Sequence, residues 1–563
     1  MKIIWFDLNS SYSHSNLGFP AMEAQLSARQ REKIEWIKVS AVKKSVKEDI
    51  LEELISYKAD VFMATAWLFN HNLLSEFIGD LKAIQPNLKI ILGGPEFLGT
   101  YNENKAYLES HRSVDLIFRG DGEEIFPKLI DVLLEEYAEK ITNDRVLKAA
   151  DFSKVKGVCG IDAETEEYFD EGLAEVKDFT ILKVPESSKY FDWSKPFIQL
   201  ETSRGCFNHC AFCVSGIGSS MMQYIPVNHL RKRLENIEAH GIKEIRVLDR
   251  TFNANPKRAS ELLSLFSEFI GKLRFHLEIH PAFLTDIIFD TIASYPLYFL
   301  HIEVGVQSLS DKVLKACYRE GSCAKTEEGI KRLTDLKLYE IHADLIIGLP
   351  YYTYDMMLHD CIKLMKIGVQ EIQIETLKCL PGTRMRNESK EFGFVYSPTV
   401  PYQVLSTKWM SFSDIRKAMS LSNLIDKWFN DGECRDFFRN TCFTHKSFMS
   451  DFNDYWFDHD LPDKLLSKES RWSHIYKFVC DKYPELKEEI SMQWIIVGLS
   501  VKKEAGLVFS KWRKEGDIVN PFFKEDKPTY IYYYLLLKNK TVFWVVFDRS
   551  NSRNKPIEVQ IIP

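Results

Sequence analysis

Short apolar runs alternate with longer amphipathic stretches through the first 140 residues, and this alternation restricts the possible folds most strongly. Residues 48–57 and 73–84 have the spacing of amphipathic helices. Strands that alternate with helices usually pair in parallel, so we predict an α/β fold that begins with a doubly wound, Rossmann-like domain over residues 1–140. Its predicted strands are residues 2–8, 34–39, 60–66, 89–92 and 115–118.

The same alternation resumes after a mixed, polar connector at residues 141–195. Six strand and helix units in residues 196–392 predict a partial (β/α)6 barrel of the TIM type. Residues 393–563 contain seven of the eleven tryptophans, with helical patterns and then strand patterns, so we predict a separate α+β domain there. The predicted barrel strands are residues 197–202, 244–248, 275–279, 299–304, 341–347 and 371–377. Weak strand signals lie in the connector at 157–161 and 179–184, and strands of the C-terminal domain are predicted near 530–537 and 541–547.

Composition excludes several classes of protein. With 563 residues, 45% of them hydrophobic and 27% charged, the chain is neither disordered nor a coiled-coil rod. A net charge of -7 does not indicate a broad phosphate-binding surface. No apolar run approaches the roughly 18 residues that cross a bilayer, and Asp7 interrupts the first apolar run, so we expect neither a membrane span nor a signal peptide. We therefore expect a cytoplasmic protein with reduced cysteines.

Three cysteines form the strongest chemical signal in the sequence. Cys206, Cys210 and Cys213 have the spacing C-x3-C-x2-C directly after the first predicted barrel strand. Thiolates are soft ligands that suit iron–sulfur clusters or zinc. Three ligands leave one metal position open, where a substrate or cofactor could bind. A structural zinc would need a fourth ligand, which His209 could supply, so this alternative stays open.

The spacing C-x3-C-x2-C, with the aromatic residue Phe212 before the last cysteine and a place on the first loop of a (β/α) barrel, closely resembles the motif of the radical S-adenosylmethionine (SAM) enzymes. The resemblance implies that the three cysteines hold a [4Fe–4S] cluster and that its fourth iron binds SAM. One electron, from a donor such as flavodoxin or ferredoxin, would then cleave SAM to a 5′-deoxyadenosyl radical. Together with the N-terminal domain, the resemblance covers residues 1–140 and 197–390.

The resemblance also assigns SAM contacts to the ends of later strands. Asp249 and Thr251 stand where the family usually contacts the SAM amino group, although the common Gly-Gly-Glu is missing. Arg319 resembles an arginine that pairs with the SAM carboxylate, a pairing that its fork geometry suits. Each position alone could equally be a strand end with a satisfied polar side chain. The implied contacts are Phe212, Asp249, Glu303, Gln307, Ser308, Arg319, Gly348 and Leu349.

A doubly wound domain ahead of such a barrel resembles the cobalamin-dependent subclass, in a branch similar to magnesium-protoporphyrin oxidative cyclases. Glycines at the ends of its strands would let the backbone approach a bulky corrinoid. The family motif Asp-x-His-x-x-Gly is absent, because His14 lacks the aspartate and Gly18 is one residue too far, so we do not expect His14 to ligate cobalt. The implied contacts are Asn9, Ser11, Trp67, Gly93, Gly94, Glu96, Gly120 and Gly122.

The resemblance implies a C-methyltransferase that acts on an unactivated carbon, with the C-terminal domain covering the barrel mouth. The alternatives are a radical cyclisation or rearrangement without methyl transfer, a cluster- or corrinoid-binding protein without turnover, and an N-terminal domain that has lost cobalamin. A tRNA methylthiotransferase is less favoured, because Cys159 is the only cysteine ahead of the barrel. We expect no membrane partner, and we do not favour nucleic acid because scattered aromatic residues more often form core. The substrate is not specified.

Overall fold

The computed structural model describes residues 1–11, 13, 16–139, 148–217, 222–499, 509–514, 518–524, 527–537, 541–548, 550 and 556–562. The chain divides into two compact units. The first comprises Met1–Thr353 and Glu375–Ile415, and the second comprises Tyr354–Ile374 and Arg416–Pro563.

A seven-stranded sheet forms the first part of the first unit, in the order β2-β1-β3-β4-β5-β6-β7. The first five strands pair in parallel, whereas β6 and β7 add antiparallel strands to one edge. Both β6 and β7 come from the predicted connector. The strands are β1 Lys2–Asn9, β2 Glu35–Val42, β3 Val61–Thr65, β4 Lys89–Gly93, β5 Leu116–Phe118, β6 Val158–Ile161 and β7 Tyr168–Asp170.

Both faces of this sheet are buried, as expected for parallel strands between helices. Alternate residues of β1 enter different cores: Phe6 packs with Phe62 and Phe77 on one face, and Trp5 packs with Phe19 and Trp36 on the other. The doubly wound prediction for the N-terminal region is therefore confirmed.

A second sheet follows, with parallel strands in the order β14-β13-β12-β11-β8. Strand β15 crosses the division between the two units. Strands β9 and β10 form a short antiparallel ribbon after β8, and β16 pairs with β17. The strands are β8 Phe197–Leu200, β9 Ser203–Arg204, β10 Gln223–Tyr224, β11 Glu244–Val247, β12 Arg274–Ile279, β13 Leu300–Gln307, β14 Glu340–Ile347, β15 Glu371–Thr376, β16 Val395–Tyr396 and β17 Val404–Ser406.

Helices connect these strands, and several begin at side chains that suit a helix start. Thr100 and Glu103 form a capping box, and Asn255 caps a helix that begins with Pro256. The helices are α1 Gly18–Gln25, α2 Ala28–Lys33, α3 Lys47–Ser56, α4 His71–Ile84, α5 Tyr101–Ser110, α6 Phe126–Glu139, α7 Ala149–Phe152, α8 Val227–Ala239, α9 Pro256–Ser267, α10 Asp286–Ala293, α11 Asp311–Ala316, α12 Cys323–Asp335, α13 Tyr354–Ile367, α14 Arg384–Asn387, α15 Phe412–Ile425, α16 Arg435–Thr444, α17 Phe448–Asp458, α18 Lys468–Lys482 and α19 Lys487–Ile496.

The second unit contains helices followed by an antiparallel sheet in the order β18-β19-β20-β21. Its helical part has an aromatic core in which Trp428 contacts Trp456 and Trp472 edge to face. The α+β prediction for this region is confirmed. The strands are β18 Ser510–Lys511, β19 Tyr530–Leu536, β20 Val542–Asp548 and β21 Glu558–Ile562.

All six strands predicted for the barrel are present, each within three residues of its expected ends. The weak strand signal at residues 179–184 was wrong, because Phe179–Ile181 forms a 3-10 turn capped by Asp178. Among the described residues, no helix has the length and apolar character needed to cross a bilayer.

Candidate active site

Residues 206–213, which we call the cysteine loop, follow β9 of the β9–β10 ribbon. They lie at the carboxyl ends of the parallel strands of the second sheet. Cys206 and Cys210 are buried, and Cys213 is half-buried. The Cys206 Sγ lies 3.6 Å from the Thr251 Oγ1, and the Ser215 amide donates to the Cys213 Sγ at 3.4 Å. The carboxyl edge of a parallel sheet is where such folds bind ligands, and the three thiols lie there.

Electrostatics connects the three thiols. The pKa of Cys210 is raised to about 11, chiefly by burial, while Arg319 lowers it and negative charge on Cys213 and Cys206 adds smaller increases. The Arg319 Nη1 lies 3.7 Å from the Cys210 Sγ. Within the described ranges, no group of three or more His, Cys, Asp or Glu side chains could hold a metal ion as it stands. The fit of this loop to a cluster therefore rests on three soft donors within eight residues of sequence and on the Arg319 guanidinium beside Cys210.

Asp249 has a different role from the one expected. Its Oδ1 accepts the amides of Thr202 and Ser203 at 2.8 and 2.9 Å, and its Oδ2 accepts their hydroxyls at 2.5 and 2.6 Å. These four bonds occupy a carboxylate that is only 3% exposed. Asp249 therefore holds the chain that enters the cysteine loop, and its carboxylate is not open to SAM. Thr251 reaches the Cys206 sulfur instead.

Polar side chains cover one face of the second sheet. Glu303 on β13 lies opposite Glu278 on β12 and His342 on β14, and its Oε2 is 3.0 Å from the His276 Nε2. The hydrogen bond from His276 lowers the pKa of Glu303. Burial, together with the charge of Glu303, raises the pKa of Asp344. The pKa values of these two neighbouring carboxyl groups are therefore shifted in opposite directions.

The end of β13 supplies further predicted contacts. Gln307 has a left-handed backbone with φ 68°, and Ser308 is fully buried. Arg319 donates to the Gly305 carbonyl as well as facing Cys210. The structure thus brings Arg319 next to the cysteine loop.

The turn after β14 is less accessible than expected. Leu349 has no exposed side-chain surface. A Cβ on Gly348 would lie 3.4 Å from Ile415 and from Val404, with φ at +84°. Both residues are therefore packed against their own chain. Phe212, by contrast, is half-buried within the cysteine loop.

At the carboxyl edge of the first sheet, two of the predicted glycines face the chain itself. A Cβ on Gly94, whose φ is +108°, would lie 2.6 Å from the Ala66 carbonyl oxygen. A Cβ on Gly120, whose φ is +85°, would lie 2.2 Å from the Ala174 carbonyl oxygen. These glycines allow a close approach of backbone to backbone, which differs from the approach to a corrinoid that the sequence suggests.

Other predicted corrinoid contacts are spread along the same edge. Trp67 is 39% exposed, and its ring stacks on Phe69 with centroids 6.3 Å apart. The Glu96 carboxylate accepts a hydrogen bond from the Tyr402 hydroxyl, and burial raises the pKa of Glu96. His14 lies outside the described residues. Asn9, Ser11, Gly93 and Gly122 lie at strand ends or within four residues after them, each half-buried or buried.

Sequence reasoning missed Arg204, Asp344 and Tyr402. Arg204 ion-pairs with Glu123 at 2.7 Å across a separation of 81 residues. Polar residues recur at alternate positions along most of β12, β13 and β14, and this signal could have identified Asp344. No local pattern could have indicated the partners of Arg204 or Tyr402.

Two family models match the chain. Residues 200–361 match the Radical SAM superfamily. Residues 390–529 match a family described as "Protein of unknown function (DUF4080)". The first match contains the cysteine loop, Arg319 and the polar strand face.

Curated relatives include tRNA-2-methylthio-N(6)-dimethylallyladenosine synthases. The protein from Chloroflexus aurantiacus is 27% identical over 220 residues, or 37% of this chain and 47% of that protein. The protein from Herpetosiphon aurantiacus is 28% identical over 204 residues, or 34% of this chain and 46% of that protein. The chain thus spans about half the length of these relatives.

Two solved structures share the fold over most of the chain. The radical SAM methyltransferase TsrM from Kitasatospora setae, with cobalamin and a [4Fe-4S] cluster bound, has a TM-score of 0.55 and 14% identity, covering 70% of this chain and 76% of its own. The cobalamin-dependent SAM radical enzyme OxsB, with aqua-cobalamin bound, has a TM-score of 0.57 and 17% identity, covering 88% and 78%. Residues 200–361 therefore form a radical SAM domain, within a fold like that of cobalamin-dependent radical SAM enzymes.

Proposed function

We propose that this chain is a cobalamin-dependent radical SAM enzyme that transfers a methyl group to an unactivated carbon. The observation that carries the proposal is the cysteine loop of a radical SAM domain, with Arg319 beside Cys210. A doubly wound sheet of the kind found in the cobalamin enzymes lies in the same compact unit.

Cys206, Cys210 and Cys213 would hold the cluster. When bound, a [4Fe–4S] cluster of this type supplies the electron that cleaves SAM and so gives a 5′-deoxyadenosyl radical. The chain's own part is to bury two of the thiols, to place a guanidinium against Cys210, and to hold the entrance of the loop through Asp249. Burial of Cys206 and Cys210 would limit the access of water to the reaction.

Residues at the ends of β13 and the following segment would bind SAM. Arg319 has the fork geometry for a carboxylate, and its guanidinium already lies between the cysteine loop and the Gly305 carbonyl. Gln307 and Ser308 adjoin this position, and Thr251 adjoins Cys206. We place the SAM amino acid group between these side chains.

The carboxyl edge of the first sheet would bind the corrinoid. Bound cobalamin would supply the carrier for the methyl group. The exposed pair Trp67 and Phe69 offers flat apolar surface there, and Asn70 fixes the turn by accepting the Trp67 amide at 2.8 Å. An exposed stacked aromatic pair on a fixed turn suits a large planar ligand. The closer likeness to magnesium-protoporphyrin oxidative cyclases stays a prediction.

The methylthio chemistry of the curated relatives is not carried to this chain. The likeness to the two relatives covers 37% and 34% of the chain. Cys159 is the only cysteine before residue 200, so the residues ahead of the radical SAM domain supply no second set of three cysteine ligands. We expect the enzyme to work in a reducing cytoplasm with flavodoxin or ferredoxin as electron donor.

The test is anaerobic reconstitution with iron, sulfide and hydroxocobalamin, followed by metal analysis and turnover of SAM with dithionite. We expect about four irons and one cobalt per chain, with both 5′-deoxyadenosine and S-adenosylhomocysteine formed. Deoxyadenosine without S-adenosylhomocysteine would favour a cyclisation or rearrangement over methyl transfer. Bound metal without any SAM cleavage would contradict an enzymatic role.

A further inference from the structure

Arg204 links the entrance of the cysteine loop to a loop of the first sheet. Its Nη2 and Nη1 donate to the two carboxylate oxygens of Glu123 at 2.7 and 3.2 Å. Its Nε and Nη2 donate to the two oxygens of Glu201 at 2.8 Å each. Two carboxylates are thus held by one guanidinium, two residues before Cys206. A fork that bonds two oxygens at once fixes direction as well as distance.

The surroundings enclose this ion pair. The Asp121 Oδ1 lies 3.5 Å from the Arg204 Nη1, and the Phe179 ring centroid lies 4.3 Å from the guanidinium carbon. The Arg204 side chain is 25% exposed, and that of Glu123 is 14% exposed. Charges that are shielded from water interact more strongly than surface pairs do, so this contact resists displacement.

A second set of bonds runs parallel to the first. Arg204 pairs with Gln223 in the β9–β10 ribbon that closes the base of the cysteine loop. The Gln223 side chain donates to the Val176 carbonyl at 2.7 Å. The Asp121 amide donates to the Ala174 carbonyl at 2.9 Å. The segment at residues 174–179 is therefore bonded both to the ribbon and to the loop at residues 120–123.

We propose that Arg204 is a positioning residue that fixes the cysteine loop against the loop at residues 120–123. This contact sets the spacing between the cluster site and the corrinoid site, an inference that rests on the proposed function. Methyl transfer needs both sites in register, whereas SAM cleavage needs only the first. Loss of the contact should therefore separate the two activities.

The first test needs no cofactor. Hydrogen exchange is compared in the wild type, in Glu123→Gln and in the matched control Asp115→Asn. The control also breaks an ion pair, because Lys82 in α4 lies 2.7 Å from Asp115, the residue just before β5. We expect Glu123→Gln to speed exchange of the amides at residues 202–206 by about tenfold. Asp115→Asn should leave those amides unchanged and act near Ile90, whose amide Asp115 accepts.

The second test uses the reconstituted enzyme and the variant Arg204→Lys, which keeps the charge and loses the fork. Bound iron, bound cobalt and deoxyadenosine formation should stay within about twofold of the wild type, while S-adenosylhomocysteine formation falls by about tenfold. The ratio of the two products is the readout, because general destabilisation would lower both together.

The outcomes separate the two proposals. A wild type that binds no cobalt contradicts the proposed function, and the exchange test still decides whether Arg204 couples the two loops. Unchanged exchange at residues 202–206 in Glu123→Gln overturns the positioning role. Equal loss of both products in Arg204→Lys also overturns it.

Discussion

The first unit contains two parallel sheets whose carboxyl edges are used in different ways. At the first sheet, the space beside Gly94 and Gly120 is filled by carbonyl oxygens of the chain itself. At the second sheet, the edge presents the thiols of Cys206 and Cys210, with Arg319 beside them. Similar architecture thus carries close backbone packing beside Gly94 and Gly120 at one edge, and thiols beside a guanidinium at the other.

The difference shows which sequence signals indicate a ligand. A glycine at a strand end permits close approach, but the approaching group can be backbone, as Ala174 is for Gly120. A soft-ligand triad has few structural reasons to exist outside metal binding or catalysis. Glycine motifs at the first sheet therefore weigh less than the cysteine motif at the second.

The largest expected effect breaks the reactive edge. Cys206→Ala, Cys210→Ala and Cys213→Ala should each abolish stable iron binding and reductive SAM cleavage, because each removes one of three thiolate ligands. Cys159→Ala is the matched control, since Cys159 is buried in β6 of the first sheet. Iron content and 5′-deoxyadenosine formation are measured after anaerobic reconstitution. Retention of both in all three loop variants would exclude the cluster site.

A change at the first sheet tests whether its edge is held by the chain's own packing. Gly120→Ala should lower the free energy of unfolding by about 4 kcal/mol, because the new Cβ meets the Ala174 carbonyl and the left-handed backbone adds strain. Gly172→Ala is the control, with φ at +80° and no atom within 4 Å of a Cβ, and should cost about 1 kcal/mol. Thermal unfolding measures both. Equal losses of unfolding free energy in the two variants would mean that the contact with Ala174 adds nothing to the cost of Gly120→Ala.

Sequence patterns predicted the elements of the fold well, because the signals are local. The spacing of apolar residues located the five parallel strands of the first sheet and all six strands of the barrel prediction. Strand β13 continues to Gln307, beyond the predicted end at residue 304, through a bulge near Gly305. Strand β7 has three half-buried residues and no clear alternation, so the predicted connector hid a sheet edge.

The site was predictable only in part, because tertiary partners are not local. The cysteine triad is defined by spacing within eight residues. Asp249, in contrast, takes its four bonds from Thr202 and Ser203, which lie 47 and 46 residues away in sequence. From the sequence alone, a carboxylate at a strand end is equally consistent with a ligand contact and with a structural hydrogen-bond acceptor.

Asp249 gives a sharper test of how the reactive edge is supported. Asp249→Ala should cost about 3 kcal/mol, because two buried amides and two hydroxyls lose their acceptor. Asp249→Asn keeps one carbonyl oxygen for the two amides and should cost about half as much. We expect iron incorporation to fall in the same order. Thermal unfolding and iron analysis of the two variants check this, and full iron loading in Asp249→Ala would contradict the positioning role.

The smallest expected effect compares one carboxyl group in each sheet whose pKa is raised. Burial raises the pKa of Asp7 in β1 to about 6, and the Trp5 indole and the Asn16 amide both donate to its Oδ1. The folded state thus holds a proton that the unfolded chain has already lost, so stability falls as the pH rises from about 4 to 6.

Asp7→Asn keeps the acceptor oxygen and removes the ionisation. We expect it to be more stable than the wild type by about 2 kcal/mol at pH 8, with the difference vanishing near pH 4. In the second sheet, burial and the neighbouring Glu303 raise the pKa of Asp344. We therefore expect the stability of Asp344→Asn, relative to the wild type, to rise with pH, as for Asp7→Asn. Thermal unfolding at several pH values measures both variants. A gain that does not depend on pH would show that packing, and not the proton, distinguishes Asn from Asp at these two positions.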